Sequence, residues 1–220
     1  MNAPNLISSF RMVAGVLGAL LLAFAAALPA RVDSSAPVLL IVGDSISAAY
    51  GLPPGVGWID LLAKRLAAQG LPYRVVNASI SGDTTAGGRA RLPGLIAQHK
   101  PAVVVVELGG NDGLRGGELA ATRENLAAMV TAAQRSGARV LIVGMRLPPN
   151  YGAAYVREFS ALFAGVADAR KVPLVPFFFE GFGERNEMFQ ADRIHPTASA
   201  QPLLLENVWP TLLPLLGAKK

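Results

Sequence analysis

Short apolar runs of strand length alternate with segments of helical periodicity from residue 38 to residue 216. Strands are predicted at Val38–Gly43, Tyr73–Asn77, Ala102–Leu108, Arg139–Gly144 and Val172–Val175. Helices are predicted at Trp58–Gln69, Thr84–His99 with a break near Pro93, Glu118–Ser136, Ala153–Arg170 and Ala198–Leu216. Strands that are connected by helices pair in parallel and are covered on both faces. The alternation therefore predicts an α/β protein with a five-stranded parallel sheet.

The N-terminal segment differs from the rest of the chain. Arg11 precedes the uninterrupted apolar run Met12–Leu28, and small residues follow at Ala25–Ala30. This order is typical of a secretory signal peptide, with cleavage expected after Ala27 or Ala30. We therefore expect a signal at residues 1–30, a linker at 31–37, a folded domain at 38–220 and a periplasmic or secreted location. The alternative is an uncleaved anchor, since the run is barely long enough to cross ~30 Å of hydrocarbon.

Composition excludes several classes of function. The chain has no cysteine, which rules out disulfides, thiolate catalysis and thiolate metal sites. No metal-binding motif occurs, so neither a metal nor a cofactor is expected. The net charge of +5 comes from scattered basic residues, which favours a solvated surface over a nucleic-acid interface. Membrane contact is expected only through the N-terminal segment or a weak attraction to lipid surfaces.

Polar, glycine-rich segments follow the first three predicted strands. They are Gly43-Asp44-Ser45, Ser81-Gly82-Asp83 and Gly109-Gly110-Asn111-Asp112-Gly113, and Asp192-Arg193-Ile194-His195 lies far downstream. Ligands of parallel α/β sheets bind beyond the carboxyl ends of the strands. His99, the only other histidine, precedes the third strand and is expected at the opposite edge. The four segments are therefore the candidates for a common site.

Acyl transfer needs a hydroxyl nucleophile, an imidazole base, a carboxylate that orients the base, and donors for the oxyanion. Ser45, His195 and Asp192 supply the first three groups, while the Gly82 N–H and the Asn111 amide are candidate donors. Each segment alone has a simpler interpretation. The stretch from Gly109 to Gly113 is typical of a turn, and Gly82 of a tight bend. Only their combination points to a serine hydrolase.

The order Ser45, Gly82, Asn111 and His195 resembles the four marker residues of the SGNH (GDSL-type) hydrolases. Three further stretches resemble one branch of that family, the periplasmic multifunctional thioesterases, lysophospholipases and arylesterases. These stretches are Gly109–Gly116, Arg146–Gly152 and Val175–Phe178, and the resemblance extends from about Val38 to about Pro214. One position departs from the branch, because Ala49 stands where a glycine is expected.

The resemblance implies a flavodoxin-like α/β/α sandwich with strand order 2-1-3-4-5. It implies catalysis by Ser45, Asp192 and His195, and an oxyanion hole made by Ser45, Gly82 and Asn111. It also implies a substrate groove, for which the candidates are Asp112, Leu114, Met145, Leu147 and Tyr151. For Met145, Leu147 and Tyr151, plain core packing is the alternative.

Small acyl esters, thioesters or lysophospholipids are the expected substrates of such an enzyme. Two alternatives remain open from the sequence. One is a carbohydrate O-acetyl esterase on the same fold, and the other is a periplasmic binding protein without catalytic activity. The absence of a long aromatic-rich insertion favours a small groove for a linear acyl chain. The second alternative would be marked by a missing member of the triad, and none is missing here.

Overall fold

The computed structural model describes residues 36–217 and Met1. The predicted signal sequence beyond Met1, nearly all of the predicted linker and the last three residues lie outside the described residues. The fold described below is that of the domain that begins at the first strand. Within residues 36–217, no helix combines the length and the apolar character that crossing a bilayer requires.

Five parallel strands form one sheet in the order β2-β1-β3-β4-β5. The strands are β1 at Val38–Gly43, β2 at Arg74–Asn77, β3 at Val103–Glu107, β4 at Arg139–Val143 and β5 at Leu174–Val175. Each lies within the segment predicted for it, and the predicted strand order is confirmed. Strand β1 has the predicted bounds, and the other four strands are shorter than predicted, because hydrogen-bonded pairing stops before the predicted segment does.

Six α-helices connect and cover the strands in the described part of the chain. They are α1 at Trp58–Ala68, α2 at Thr85–His99, α3 at Gly110–Leu114, α4 at Leu119–Arg135, α5 at Ala153–Arg170 and α6 at Gln201–Leu212. Helix α1 packs beside α6, while α4 packs between α2 and α5. The two groups form the helical layers of the sandwich. The segment predicted as one C-terminal helix instead contains α6 with short 3₁₀ turns on either side, at Ala198–Ala200 and Leu213–Leu216.

Two local predictions are wrong. Helix α2 continues through Pro93 without a break. Pro93 is exposed, so the carbonyl that loses its N–H partner can be hydrated and the helix tolerates the proline. The predicted turn after β3 is the short helix α3. Tertiary contacts hold this helix, because Asp112 accepts hydrogen bonds from Thr85 and the Leu114 carbonyl accepts one from Tyr151.

The two central strands position the site. Every residue of β1 and β3 is buried, because helices cover both faces of the sheet there. Edge strand β2 is only half-buried. The register places Gly43, the last residue of β1, opposite Glu107, the last residue of β3. The segments that follow these strands therefore start side by side at the carboxyl edge, whereas His99 ends α2 ahead of the amino end of β3.

Candidate active site

Ser45 lies in a tight turn directly after β1. The turn is helical in character, with the Ala48 N–H donating to the Asp44 carbonyl and the Tyr50 N–H donating to the Ser45 carbonyl, at 2.9 and 3.0 Å. The Asp44 carboxylate accepts the Ile46 N–H at 2.9 Å, which stabilises the turn. Ser45 is 8% exposed, so its hydroxyl is presented at a buried edge of the sheet.

His195 is carried by an irregular loop between β5 and α6. Oδ1 of Asp192 accepts the N–H groups of Ile194 and His195 at 2.9 and 3.0 Å, which folds the loop tightly. An antiparallel β-bridge between Phe189 and Pro196 joins the two ends of the loop. The Gln190 side-chain amide donates to the Tyr50 carbonyl at 2.8 Å. This bond ties the His195 loop directly to the Ser45 turn.

The structure brings Ser45, His195 and Asp192 into one hydrogen-bonded chain. His195 Nε2 lies 2.9 Å from Ser45 Oγ, and His195 Nδ1 lies 2.7 Å from Asp192 Oδ2. A carboxylate at Nδ1 favours the tautomer in which Nδ1 carries the proton and Nε2 is free to accept one. The Tyr50 ring packs against the imidazole, with ring centroids 4.5 Å apart. This geometry suits removal of the serine proton by the histidine.

The carboxylate at the end of this chain is held in its charged form. Hydrogen bonds from the His195 side chain, then from the His195 and Ile194 backbone N–H groups, lower the pKa of Asp192 from 3.8 to about 2. Asp192 is therefore ionised throughout the neutral and mildly acidic range. It is partly exposed, so this shift concerns its charge state and is no measure of folding stability.

Besides Ser45, the two other predicted oxyanion donors, Asn111 and Gly82, occupy different places. Asn111, in α3, lines the same cavity as Ser45 and His195. Its Nδ2 donates one hydrogen to Asp44 Oδ2 at 3.0 Å, which leaves the second hydrogen available for a ligand. Gly82 lies in the loop after β2, with a φ of +79° that favours glycine, and does not line the cavity. The Ile80 N–H ties that loop to the Gly43 carbonyl at 3.1 Å.

Asp44 has a second role that sequence analysis missed. Besides capping its own turn, its carboxylate orients the Asn111 amide. Burial raises the pKa of Asp44 from 3.8 to about 6, against the opposing effects of the Ile46 N–H and the His195 charge. The sequence feature that could have indicated this role is that Asp44 directly precedes the nucleophile. A side chain that only caps its own turn could remain in solvent, whereas Asp44 is buried, with 2% of its surface exposed.

A cavity of about 450 Å³ opens at Ser45 and His195. Its walls are mainly apolar and include Ile46, Leu114, Met145, Leu147, Pro148, Phe177, Phe179, Phe189 and Ile194. Of the predicted groove residues, Leu114, Met145 and Leu147 therefore line the cavity. Asp112 and Tyr151 do not, since both face protein partners: Asp112 accepts from Thr85, and the Tyr151 hydroxyl donates to the Leu114 carbonyl at 3.0 Å.

The site has the parts of a serine hydrolase. Within residues 36–217, no three side chains of the kinds that ligate metals converge. A cavity of this volume is in the range of small-molecule sites, and apolar walls with few polar groups suit an acyl chain. The arrangement can therefore bind an acyl group beside a buried hydroxyl that has an adjacent base.

Comparison with known proteins agrees with this chemistry. Residues 41–201 match the GDSL-like Lipase/Acylhydrolase family. The chain is 60% identical to Esterase TesA of Pseudomonas aeruginosa, over 84% of this chain and 92% of that protein. It is 42% identical to Thioesterase 1/protease 1/lysophospholipase L1 of Escherichia coli K12, over 84% of this chain and 87% of that protein.

Structural comparison gives the same result. The crystal structure of TesA is 61% identical in sequence and has a TM-score of 0.80, covering 81% of this chain and 99% of that one. The resemblance to the SGNH hydrolases and the flavodoxin-like strand order are thus confirmed. The chain belongs to the GDSL-like lipase/acylhydrolase family.

Proposed function

We propose that this protein hydrolyses acyl esters and thioesters through a covalent acyl-serine intermediate on Ser45. The observation that carries the proposal is the chain of hydrogen bonds from Ser45 through His195 to Asp192, at 2.9 and 2.7 Å, at the mouth of an apolar cavity. The names of the similar proteins, an esterase and a thioesterase/lysophospholipase, support the same class of reaction.

Acylation begins when Ser45 Oγ attacks the substrate carbonyl and His195 Nε2 takes the serine proton. The carbonyl oxygen becomes negative and is stabilised by the Ser45 N–H and the Asn111 amide. The Gly82 N–H is the third donor, from a loop outside the cavity lining that the Ile80 N–H ties to Gly43. One such donor typically contributes about 3–4 kcal/mol to the transition state. Asp192 stabilises the imidazolium without taking its proton. The tetrahedral intermediate then collapses, and the leaving alcohol or thiol takes the proton from His195.

Deacylation repeats these steps with water. His195 Nε2 removes a proton from water as the hydroxide oxygen attacks the acyl carbonyl. The same three donors hold the second oxyanion. Collapse breaks the bond to Ser45 Oγ, which recovers its proton from His195, and the carboxylic acid leaves. No cofactor takes part in this sequence.

The substrate class follows from the walls of the cavity. Leu114, Met145 and Leu147 offer apolar contacts to a linear acyl chain, as in aryl esters, acyl thioesters and lysophospholipids. We further propose that residues 1–30 act as a signal sequence, that residues 31–37 link it to the catalytic domain at 38–220, and that the enzyme works in the periplasm or outside the cell. The apolar run before residue 30 supports this location.

A series of p-nitrophenyl esters from acetyl to dodecanoyl, together with an acyl thioester, tests the proposal. We expect turnover to peak with acyl chains longer than acetyl, and a fluorophosphonate to label Ser45. Ser45→Ala is the control, and we expect it to lower kcat by roughly 10⁵–10⁶-fold with an unchanged unfolding temperature. Turnover of acetyl esters alone would favour a deacetylase instead. No turnover and no labelling would refute the hydrolase.

A further inference from the structure

Glu107 is a buried carboxyl that the mechanism above does not use. It is the last residue of β3 and is fully buried, after four buried valines. An ionised carboxylate is costly to bury unless its oxygens find partners. A glutamate in the core beneath the nucleophile therefore needs a physical reason.

The Glu107 carboxyl touches the Ser45 turn with one of its two oxygens. Oε2 accepts the Ser47 hydroxyl at 2.7 Å and lies 3.4 Å from the Asp44 N–H. Oε1 has no hydrogen-bond partner within the described residues. Gly43 makes room for this arrangement, because a Cβ there would lie 2.7 Å from Glu107 Oε2.

These contacts hold the nucleophile from both sides. Asp44 directly precedes Ser45, and Ser47 follows it by two residues. Ser47 is anchored further, because its hydroxyl accepts the Trp58 indole N–H at 3.2 Å and its carbonyl accepts the Asn77 amide at 2.9 Å. A single carboxyl oxygen thus joins the end of β3 to both flanks of the nucleophile.

The surroundings of Glu107 favour its neutral form. Burial and then the charge of Asp44 raise the pKa of Glu107 well above 4.5, and the hydrogen bond from Ser47 offsets this only in part. The nearby Arg91 guanidinium reaches the Gly43 carbonyl at 3.4 Å, but it is paired with Asp83 at 2.8 Å. Asp44 accepts the hydrogen bond from Asn111 best as a carboxylate. Glu107 is therefore the carboxyl group of this pair that keeps its proton.

We propose that Glu107 is a positioning residue that fixes the Ser45 turn as a neutral carboxylic acid, through the Ser47 hydroxyl and the Asp44 N–H. This inference rests on the proposed function, since it assigns a role within the same reaction. It predicts that an uncharged side chain of the same shape will serve as well as glutamate. It also predicts that removal of the acceptor oxygen will misplace Ser45 without changing the cavity that binds substrate.

Glu107→Gln and Glu107→Leu separate these effects. Glutamine keeps an acceptor for Ser47 and Asp44 and places its NH₂ where Oε1 has no partner, whereas leucine removes the acceptor. We expect Glu107→Gln to keep kcat within about threefold of the wild type, because the positioned geometry is retained. Glu107→Leu should lower kcat by roughly 10–100-fold, with KM nearly unchanged, because small misplacements of reacting groups are costly.

If Glu107→Leu does not fold, Ser47→Ala tests the same contact. It removes the hydroxyl that donates to Glu107 and should lower kcat in the same direction, again with little effect on KM. Wild-type turnover and its loss in Ser45→Ala are established first, so failure of the proposed function is distinguished from failure of this inference. If Glu107→Gln folds but its kcat falls as far as that of Glu107→Leu, the proposal that Glu107 acts as a neutral acid is wrong. Full kcat in folded Glu107→Leu or in Ser47→Ala would overturn the positioning role.

The pH dependence of stability gives a second readout, which tests whether Glu107 is neutral in the folded protein. A carboxyl whose pKa is raised by folding stabilises the protein below its unfolded pKa, and this contribution is lost as pH rises through the folded value. Glu107→Gln lacks that group. Its unfolding temperature relative to the wild type should therefore increase from about pH 5 to about pH 9. A constant difference across this range would show that Glu107 is ionised throughout and would overturn the proposal.

Discussion

Ser45 and His195 belong to two regions that are built in opposite ways. The Ser45 turn, residues 44–50, leaves the end of a fully buried strand and is held by buried side chains. The His195 loop, residues 189–197, has no regular secondary structure apart from one bridge, and it is exposed at residues 191–194 and half-buried at most of its other positions. The two regions meet at the 2.9 Å contact between Ser45 and His195.

Stability and catalysis are therefore coupled in one region and largely separate in the other. Changes beneath the Ser45 turn disturb buried polar groups, which are expensive to leave unpaired, so they should affect folding and catalysis together. Changes in the exposed loop break contacts that water can replace. They should affect catalysis with little effect on folding. Substitutions in each region therefore test whether catalysis and stability are coupled there.

Apart from Ser45→Ala, the substitutions that should lower kcat most lie in the His195 loop. His195→Ala removes the base and should lower kcat by roughly 10⁵–10⁶-fold. Asp192→Asn should cost less, about 10⁴-fold, because the amide oxygen still accepts the Ile194 and His195 N–H groups but its NH₂ favours the wrong imidazole tautomer. Steady-state kinetics and thermal unfolding of both variants test this. A wild-type kcat in Asp192→Asn would remove Asp192 from the triad, and a large loss of stability would contradict the independence of the loop.

The sequence was sufficient for the parts of the fold that repeat a simple pattern. The apolar runs of β1 and β3 and the polar segments after them predict the sheet and the edge where the site lies. The Asp192–His195 spacing is local, so a tight turn between them could be expected from the sequence. The contact of His195 with Ser45 spans most of the domain, and no local pattern encodes it. The needs of acyl transfer make both residues candidates, and the resemblance to a family assigns them to one triad.

What sequence analysis missed depends on packing. Glu107 ends an apolar strand, and its carboxyl matters only because the register sets it opposite Gly43. The orientation of Asn111 by Asp44 requires two loops to meet. For Tyr151 the sequence leaves groove lining and core packing open, and its hydroxyl donates to the Leu114 carbonyl outside the cavity. Such contacts follow from three-dimensional neighbours that spacing along the chain does not reveal.

Asp44→Asn tests the buried region. Asparagine keeps an oxygen for the Ile46 N–H but presents an NH₂ to Asn111, which then loses its acceptor. A hydrogen bond to a charged group contributes about 1.5–3 kcal/mol, so we expect kcat to fall by roughly 10–100-fold. Unlike Asp192→Asn, this variant should also unfold at a lower temperature. An unchanged unfolding temperature would break the contrast between the two regions.

The pH dependence of this variant follows from the raised pKa of Asp44, about 6. The ionised form orients Asn111, so part of the wild-type loss of kcat below that pH should come from Asp44 and be missing in Asp44→Asn. Stability has the opposite sign, because the raised pKa stabilises the fold below 3.8 and this contribution is lost as pH rises through about 6. The destabilisation of Asp44→Asn relative to the wild type should therefore be smaller above that pH than below it.

Gln190→Leu tests the connection between the two regions. It removes the side-chain hydrogen bonds to the Tyr50 and Pro196 carbonyls, at 2.8 and 3.2 Å. Neutral hydrogen bonds contribute about 1 kcal/mol each, so we expect a modest fall in unfolding temperature and a fall in kcat of roughly tenfold. Gln134→Leu is the matched control, since it breaks a bond to the Arg170 carbonyl and should leave kcat unchanged. Equal kcat in the two variants would show that the His195 loop keeps its position without Gln190.

The smallest effect is expected at Ala49, within the Ser45 turn. Ala49 has a φ of +55°, a left-handed conformation that costs an alanine about 1 kcal/mol more than a glycine. Ala49→Gly relieves this strain, and the entropy that glycine adds to the unfolded chain offsets part of the gain. We expect a net stabilisation of about 0.5 kcal/mol, or about 1–2 °C in unfolding temperature, with kcat unchanged. Ala48→Gly, at a neighbour without positive φ, should destabilise instead, because it adds the same flexibility without relieving strain. A lower unfolding temperature in Ala49→Gly would mean that the alanine methyl group packs well enough to outweigh its backbone strain.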